Sequence, residues 1–248
     1  MNFGGSRLGF WFRPVDRAAR SKKVLVFYDP LTYGPEGNTN YYNSGDVNPA
    51  TQVYPVIAAR EIALGFQPSL CTSFAELATI DLTQYAHIWD IGYATPYYGN
   101  PNNPAAQLTA YLQQGGAMFM LGENYYFGVR DDTIDTFVGS LGGGPAAYWP
   151  NPAYYTLINA TVQPEFLIAN NNTSVTFNAP NVFQTYGSGT PIAVAASVPY
   201  PTAVCWKTGS LANASQGAIV SVLDINFFVG GDYNPDFIDN ISLILNQR

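Results

Sequence analysis

At 248 residues, with a net charge of −7 and 47% hydrophobic side chains, the chain is long enough to bury one large core, or a core with an insertion. Only 11% of the residues are charged, against roughly 25% in an average protein; lysine occurs only at 22, 23 and 207, and Tyr, Asn, Gly and Pro supply the polar surface. No apolar stretch approaches the ~20 residues of a membrane span, Arg13-Pro14 interrupts the only short apolar run near the start so that no secretory leader is expected, and two cysteines, Cys71 and Cys205, make no disulfide framework.

Residues 1–23 hold Arg7, Arg13, Arg17, Arg20, Lys22 and Lys23 against Asp16, a charge of +5. The remaining residues carry four basic and sixteen acidic side chains, a charge of −12. The arm also carries Phe10, Trp11 and Phe12, which a solvated tail does not need. A basic, aromatic arm on an acidic body can bind nucleic acid or anionic lipid, or dock on the body of a neighbouring copy; docking on a copy or another assembly protein is the expectation. Nucleic acid is disfavoured, because the body repels phosphates.

Val24–Asp29 reads as the first buried strand, followed by a long loop rich in Gly, Asn and Tyr through Asp46. Asn48-Pro49 is a cap followed by a first helical turn, predicting a helix to about Gly65. Short strands are expected at 67–72 and 85–91, with a helix at 74–82 between them. A Tyr- and Pro-rich loop at 92–102 precedes a second Asn-Pro start and a helix ended by Gly115-Gly116. Strand 117–121 follows, then a helix at about 132–140. From 145 to 215 helical periodicity disappears, and short alternating runs predict a β-rich insertion or strand extension. Strand 218–224 and a helix at 236–246 close the chain. The expected organisation is thus an arm at 1–23, an α/β domain at 24–144 and 216–248, and an insertion at 145–215. Strands alternating with helices imply a mostly parallel sheet.

The stretch Leu108-Thr-Ala-Tyr111-Leu112-Gln-Gln-Gly115-Gly116-Ala-Met-Phe-Met-Leu-Gly122-Glu123, together with Gly217–Phe227, resembles the class I glutamine amidotransferase-like superfamily over about 24–140 and 216–247. The resemblance implies a flavodoxin-like, three-layer α/β sandwich. In catalytic members the turn after the fourth strand reads roughly Gly-x-Cys-x-Gly. Here it reads Gly122-Glu123-Asn124-Tyr125-Tyr126. Asn124 stands where the nucleophile would be, and an amide cannot act as an activated thiolate. The only histidine, His87, is expected at the opposite edge from the ligand crevice. The resemblance therefore implies a non-catalytic member.

Four apolar runs end in carboxylates, Asp29, Asp90, Glu123 and Asp224, which a parallel sheet would bring to one edge. Three readings are open. With Asn124 and Asn226 they bind Ca²⁺ or Mg²⁺; two of them act as acid and base on a glycoside or ester; or they cap the following loops and helices. The pairs Tyr41-Tyr42, Tyr97-Tyr98 and Tyr125-Tyr126 follow three of those strands and are expected to form an aromatic contact surface there. The sequence is read as a non-enzymatic structural protein, self-assembling through its arm in an extracellular, cell-surface or virion setting. A carbohydrate-active or metal-dependent hydrolase, or a sugar- or cation-binding module, is the alternative.

Overall fold

The structure is a computed structural model that describes residues 21–30, 32–33, 39–40, 47–148, 157–168 and 173–247. The arm residues Arg7, Phe10, Trp11, Phe12, Arg13, Arg17 and Arg20, and the loop residues Tyr41 and Tyr42, lie outside the described residues.

In chain order the elements are β1 (Lys23–Phe27), β2 (Thr32–Tyr33), β3 (Thr39–Asn40), α1 (Tyr54–Ala63), β4 (Gln67–Cys71), α2 (Phe74–Leu77), β5 (His87–Asp90), α3 (Ala105–Gln113), β6 (Ala117–Gly122), α4 (Gly128–Ser140) and β7 (Ala146–Tyr148). Then follow β8 (Leu157–Val162), β9 (Ser174–Asn178), β10 (Phe183–Tyr186), β11 (Thr190–Ala195), β12 (Val198–Trp206), β13 (Ala218–Leu223) and α5 (Pro235–Gln247). One nine-stranded sheet runs β4-β1-β5-β6-β13-β12-β11-β8-β9. Its first five strands are parallel, and taken in chain order they stand 2-1-3-4-5, the flavodoxin-like arrangement.

Side-chain alternation along β1 sorts the two layers of helices. Val24 and Val26 face α1 and α5, packing in one core with Ile57, Trp89, Phe119, Ile238 and Leu245. Leu25 and Phe27 face α2, α3 and α4, in a second core with Phe74, Leu108, Met118 and Phe137. The strands between are buried on both faces, which is why they read as unbroken apolar runs.

The β-rich segment extends this same sheet. β12, β11, β8 and β9 pair antiparallel, continuing outward from β13. β8 alternates exposed and buried residues because only one of its faces is covered. β7 and β10 form a separate two-stranded ribbon. The far end of the sheet returns to the loop after β13. Asp224 accepts from the Asn178 backbone at 2.9 Å, and Asn226 donates to the Asn178 carbonyl at 2.8 Å. The outermost strand, β9, is thereby pinned to that loop at its Asn178 end.

Two helix starts differ from the sequence expectation. Asn48 does cap, accepting from Ala50 and Thr51, but the turn it opens at Pro49–Val53 is a π-type turn before α1 proper. α4 begins at Gly128 rather than about 132, which brings Arg130 and Asp131 into its first turn. Cys71 and Cys205 are free and buried; burial pushes their thiols up to about 11 and about 12.

Candidate functional site: the carboxylate edge

The strand-end acids sit at the carboxyl ends of parallel strands, and each is buried. Asp29 follows β1 and accepts from the Phe74 backbone N–H at 2.8 Å, helping Ser73 start α2. Its backbone carbonyl accepts from Thr95 Oγ1 at 2.8 Å. Both bonds tie the β1 end to neighbouring loops.

Asp90 ends β5. Its Oδ1 accepts from Gly92 N at 3.1 Å, while Oδ2 accepts from Arg130 Nη2 at 2.6 Å and from the Tyr97 hydroxyl. Arg130 is fully buried and also donates through Nε to the Leu121 carbonyl at 2.8 Å and through Nη1 to the Thr95 carbonyl at 3.2 Å. Its guanidinium lies 5.2 Å from the centre of the Tyr97 ring. One cation thus joins the ends of β5 and β6 to the loop after β5.

Glu123, Asp131 and Asp224 form the other half of the edge. Glu123 Oε2 accepts from Ile225 N at 2.7 Å, and Oε1 from Asn124 Nδ2 at 2.9 Å. Asp131 Oδ2 accepts from Asn181 Nδ2 at 2.8 Å, and Oδ1 from Glu123 N at 3.3 Å. Asp224 Oδ1 accepts from both nitrogens of Asn226, each at 2.8 Å. Burial pushes the Glu123 carboxyl well above the usual carboxylate range, and the charge of Asp224 adds to the effect. Burial raises Asp131 too, against the Asn181 hydrogen bond, and raises Asp224 to about 7. Gly122 makes this packing possible: a Cβ there would lie 2.5 Å from both Asp131 Oδ1 and Leu223 Cδ2.

The arrangement is one of acids turned inward onto amides. Asn124 is bonded at both ends of its amide, with Oδ1 accepting from Tyr126 N at 3.1 Å. For the cation reading, no three His, Cys, Asp or Glu side chains among the described residues come together as a group able to hold a metal ion. For the aromatic surface, Tyr97 is a correction. It is fully buried, with its hydroxyl on Asp90 and its ring between Phe74 and Phe137, so it offers no contact area. Tyr98 and Tyr126 are 38% and 48% exposed. Tyr41, Tyr42 and the Tyr125 side chain lie outside what the structure describes.

His87 lies at the opposite edge, at the start of β5. It is completely buried with Glu61, whose Oε1 is 2.9 Å from His87 Nε2 and accepts from Trp89 Nε1 at 2.7 Å. The other two polar atoms, Glu61 Oε2 and His87 Nδ1, are buried without a hydrogen-bond partner.

No family model matches the chain, and no curated protein matches it. Solved structures do. The N-terminal domain of mmIFT52 superposes with a TM-score of 0.59 at 11% identity, covering 91% of this chain and 98% of that one. A putative ThuA-like protein from Bacteroides uniformis gives 0.54 at 14% identity, covering 93% and 94%. A glutamine amidotransferase from Thermotoga maritima also matches, at 7% identity and a TM-score of 0.44, too distant to carry an argument; it covers 90% and 93%. The first two likenesses show the fold: a flavodoxin-like three-layer sandwich with extra strands. No helix among the described residues is long and apolar enough to cross a membrane.

Sequence reasoning missed Arg130, Asp131, Asn181 and Glu61. Arg130-Asp131-Asp132 looks like the polar start of a surface helix. The available signal was the neighbouring Gly122, which allows an element to approach the end of β6 closely.

Proposed function

We propose that the chain is a non-enzymatic structural or interaction protein that assembles with copies of itself through residues 1–23. The observation that carries the non-catalytic half is at position 124. The residue at the elbow is an amide whose two polar atoms are both taken, by Glu123 and by the Tyr126 backbone. A covalent catalyst needs an ionisable nucleophile with a base in hydrogen-bond reach. A two-carboxylate hydrolase needs its acids open to a substrate, and Glu123 and Asp224 are 3% and 0% exposed.

The assembly half is supported by charge. The arm's +5 and the body's −12 attract across copies, and the attraction is screened by salt. The test is sedimentation of the full chain at about 20 mM and about 500 mM salt, a range that takes the screening length from roughly 20 to 4 Å. Beside it runs a variant with Arg7→Gln, Arg13→Gln, Arg17→Gln and Arg20→Gln. The reading expects an oligomer at low salt that dissociates in high salt and in the variant. A chain monomeric under every condition overturns it.

A further inference from the structure

At the opposite edge from the carboxylates, a cavity of about 300 Å³ opens between the short 3₁₀ turn Pro164–Phe166, the end of β12, the start of β13 and the last turns of α5. Its walls are mainly apolar, from Phe166, Ile168, Ala218 and Ile244. Its mouth carries one charge of each sign, Glu165 and Lys207, both exposed. The Lys207 ammonium sits 4.5 Å from the centre of the Phe166 ring. Neither charge belongs to an ion pair among the described residues.

We propose that this cavity receives Phe10-Trp11-Phe12 from the arm of a second copy of this chain. The inference rests on the assembly reading above and names its acceptor. Three observations support it. The cavity is at the small end of the ligand-pocket range and apolar, which suits a bulky aromatic side chain. The segment after the aromatic triplet, Arg13-Pro14-Val15-Asp16, brings a counter-charge for each charge at the mouth, Arg13 for Glu165 and Asp16 for Lys207. The carbonyl end of α5 beside Ile244 adds to the attraction for Arg13.

The arm also begins at the right edge. Register pairs Val24 with His87, Ile88 with Met118, and Ala117 with Ala218. The arm therefore joins the body level with Ala218, three strand spacings away, about 14 Å. Residues 13–20 span at most about 28 Å, so an arm leaving one body reaches the same edge of a copy set against it. That length also reaches the cavity of its own chain, and the experiment separates the two.

The full chain carrying Trp11→p-benzoylphenylalanine, prepared in light and ¹⁵N-labelled forms and mixed, is irradiated and the cross-links are mapped by mass spectrometry. The proposal expects links from position 11 to 165–168 or 244–247 that join a light chain to a heavy one. Links to those segments within single chains only would overturn the second-copy occupant. Inter-chain links to other segments would overturn the cavity as acceptor while leaving arm-mediated assembly standing. A monomeric chain without inter-chain links would overturn both.

Discussion

Arg130 Nη2 lies 2.6 Å from Asp90 Oδ2, and neither side chain is exposed to water. The pair holds the ends of two central strands and the loop after β5 in one place. Removing one partner strands the other charge in the interior. Arg130→Met is therefore expected to cost about 3–5 kcal/mol. Urea unfolding at pH 7 measures it; a loss below about 1 kcal/mol would mean that water or a neighbour rescues Asp90 and that the pair does not organise this edge.

The second buried polar group makes a similar prediction on the other edge. Glu61 Oε1 serves both His87 and Trp89. Glu61→Ala leaves two buried ring nitrogens without that partner and is expected to destabilise by about 2–4 kcal/mol. Glu61→Gln keeps an acceptor for Trp89 and is expected to cost less. Equal losses in thermal unfolding would count against the hydrogen bonds as the cause.

Asp135 provides a pH test. Burial raises its carboxyl to about 7, against the hydrogen bond from Tyr148 N, and Asp135 Oδ1 is buried without a partner. Below the unfolded value, about 3.9, both states are protonated and the group contributes nothing. Between there and about 7 the unfolded chain ionises while the folded chain keeps its proton, so stability falls as pH rises. Asp135→Asn is expected to gain on the parent chain progressively from pH 4 to pH 7 in urea titrations. A stability difference that stays flat with pH would refute the assignment. Asp224, also raised to about 7, titrates with the same sign.

Asn124→Ala removes a bond to Glu123 and one to the Tyr126 backbone. The expected cost is about 1–2 kcal/mol of stability, read by chemical denaturation. Because the reading assigns no chemistry to Asn124, a variant with unchanged stability but a lost hydrolytic activity on model esters or glycosides would reverse it.

What the sequence made legible follows from how each element is buried. Val24–Phe27, Ala117–Leu121 and Ala218–Leu223 are covered on both faces, so their burial is written as continuous apolar runs. The acids after those runs could be placed on one edge because parallel strands share a direction. Their partners could not be read. Arg130 reaches Asp90 across 40 positions, and Glu123 meets Ile225 across 102. Tyr97 and Tyr98 look alike in sequence, yet Tyr97 turns under Arg130 and is buried while Tyr98 stays partly exposed. Only the path of the loop after β5 separates them. The β-rich segment was legible as strands, but its membership of the central sheet depends on β12 pairing with β13, which no local pattern encodes.

The mass of the protein in solution tests assembly through the arm most directly. Equilibrium sedimentation at low salt is expected to give a dimer or larger for the full chain and a folded monomer when residues 1–20 are removed. The same number of subunits for both would contradict assembly through the arm.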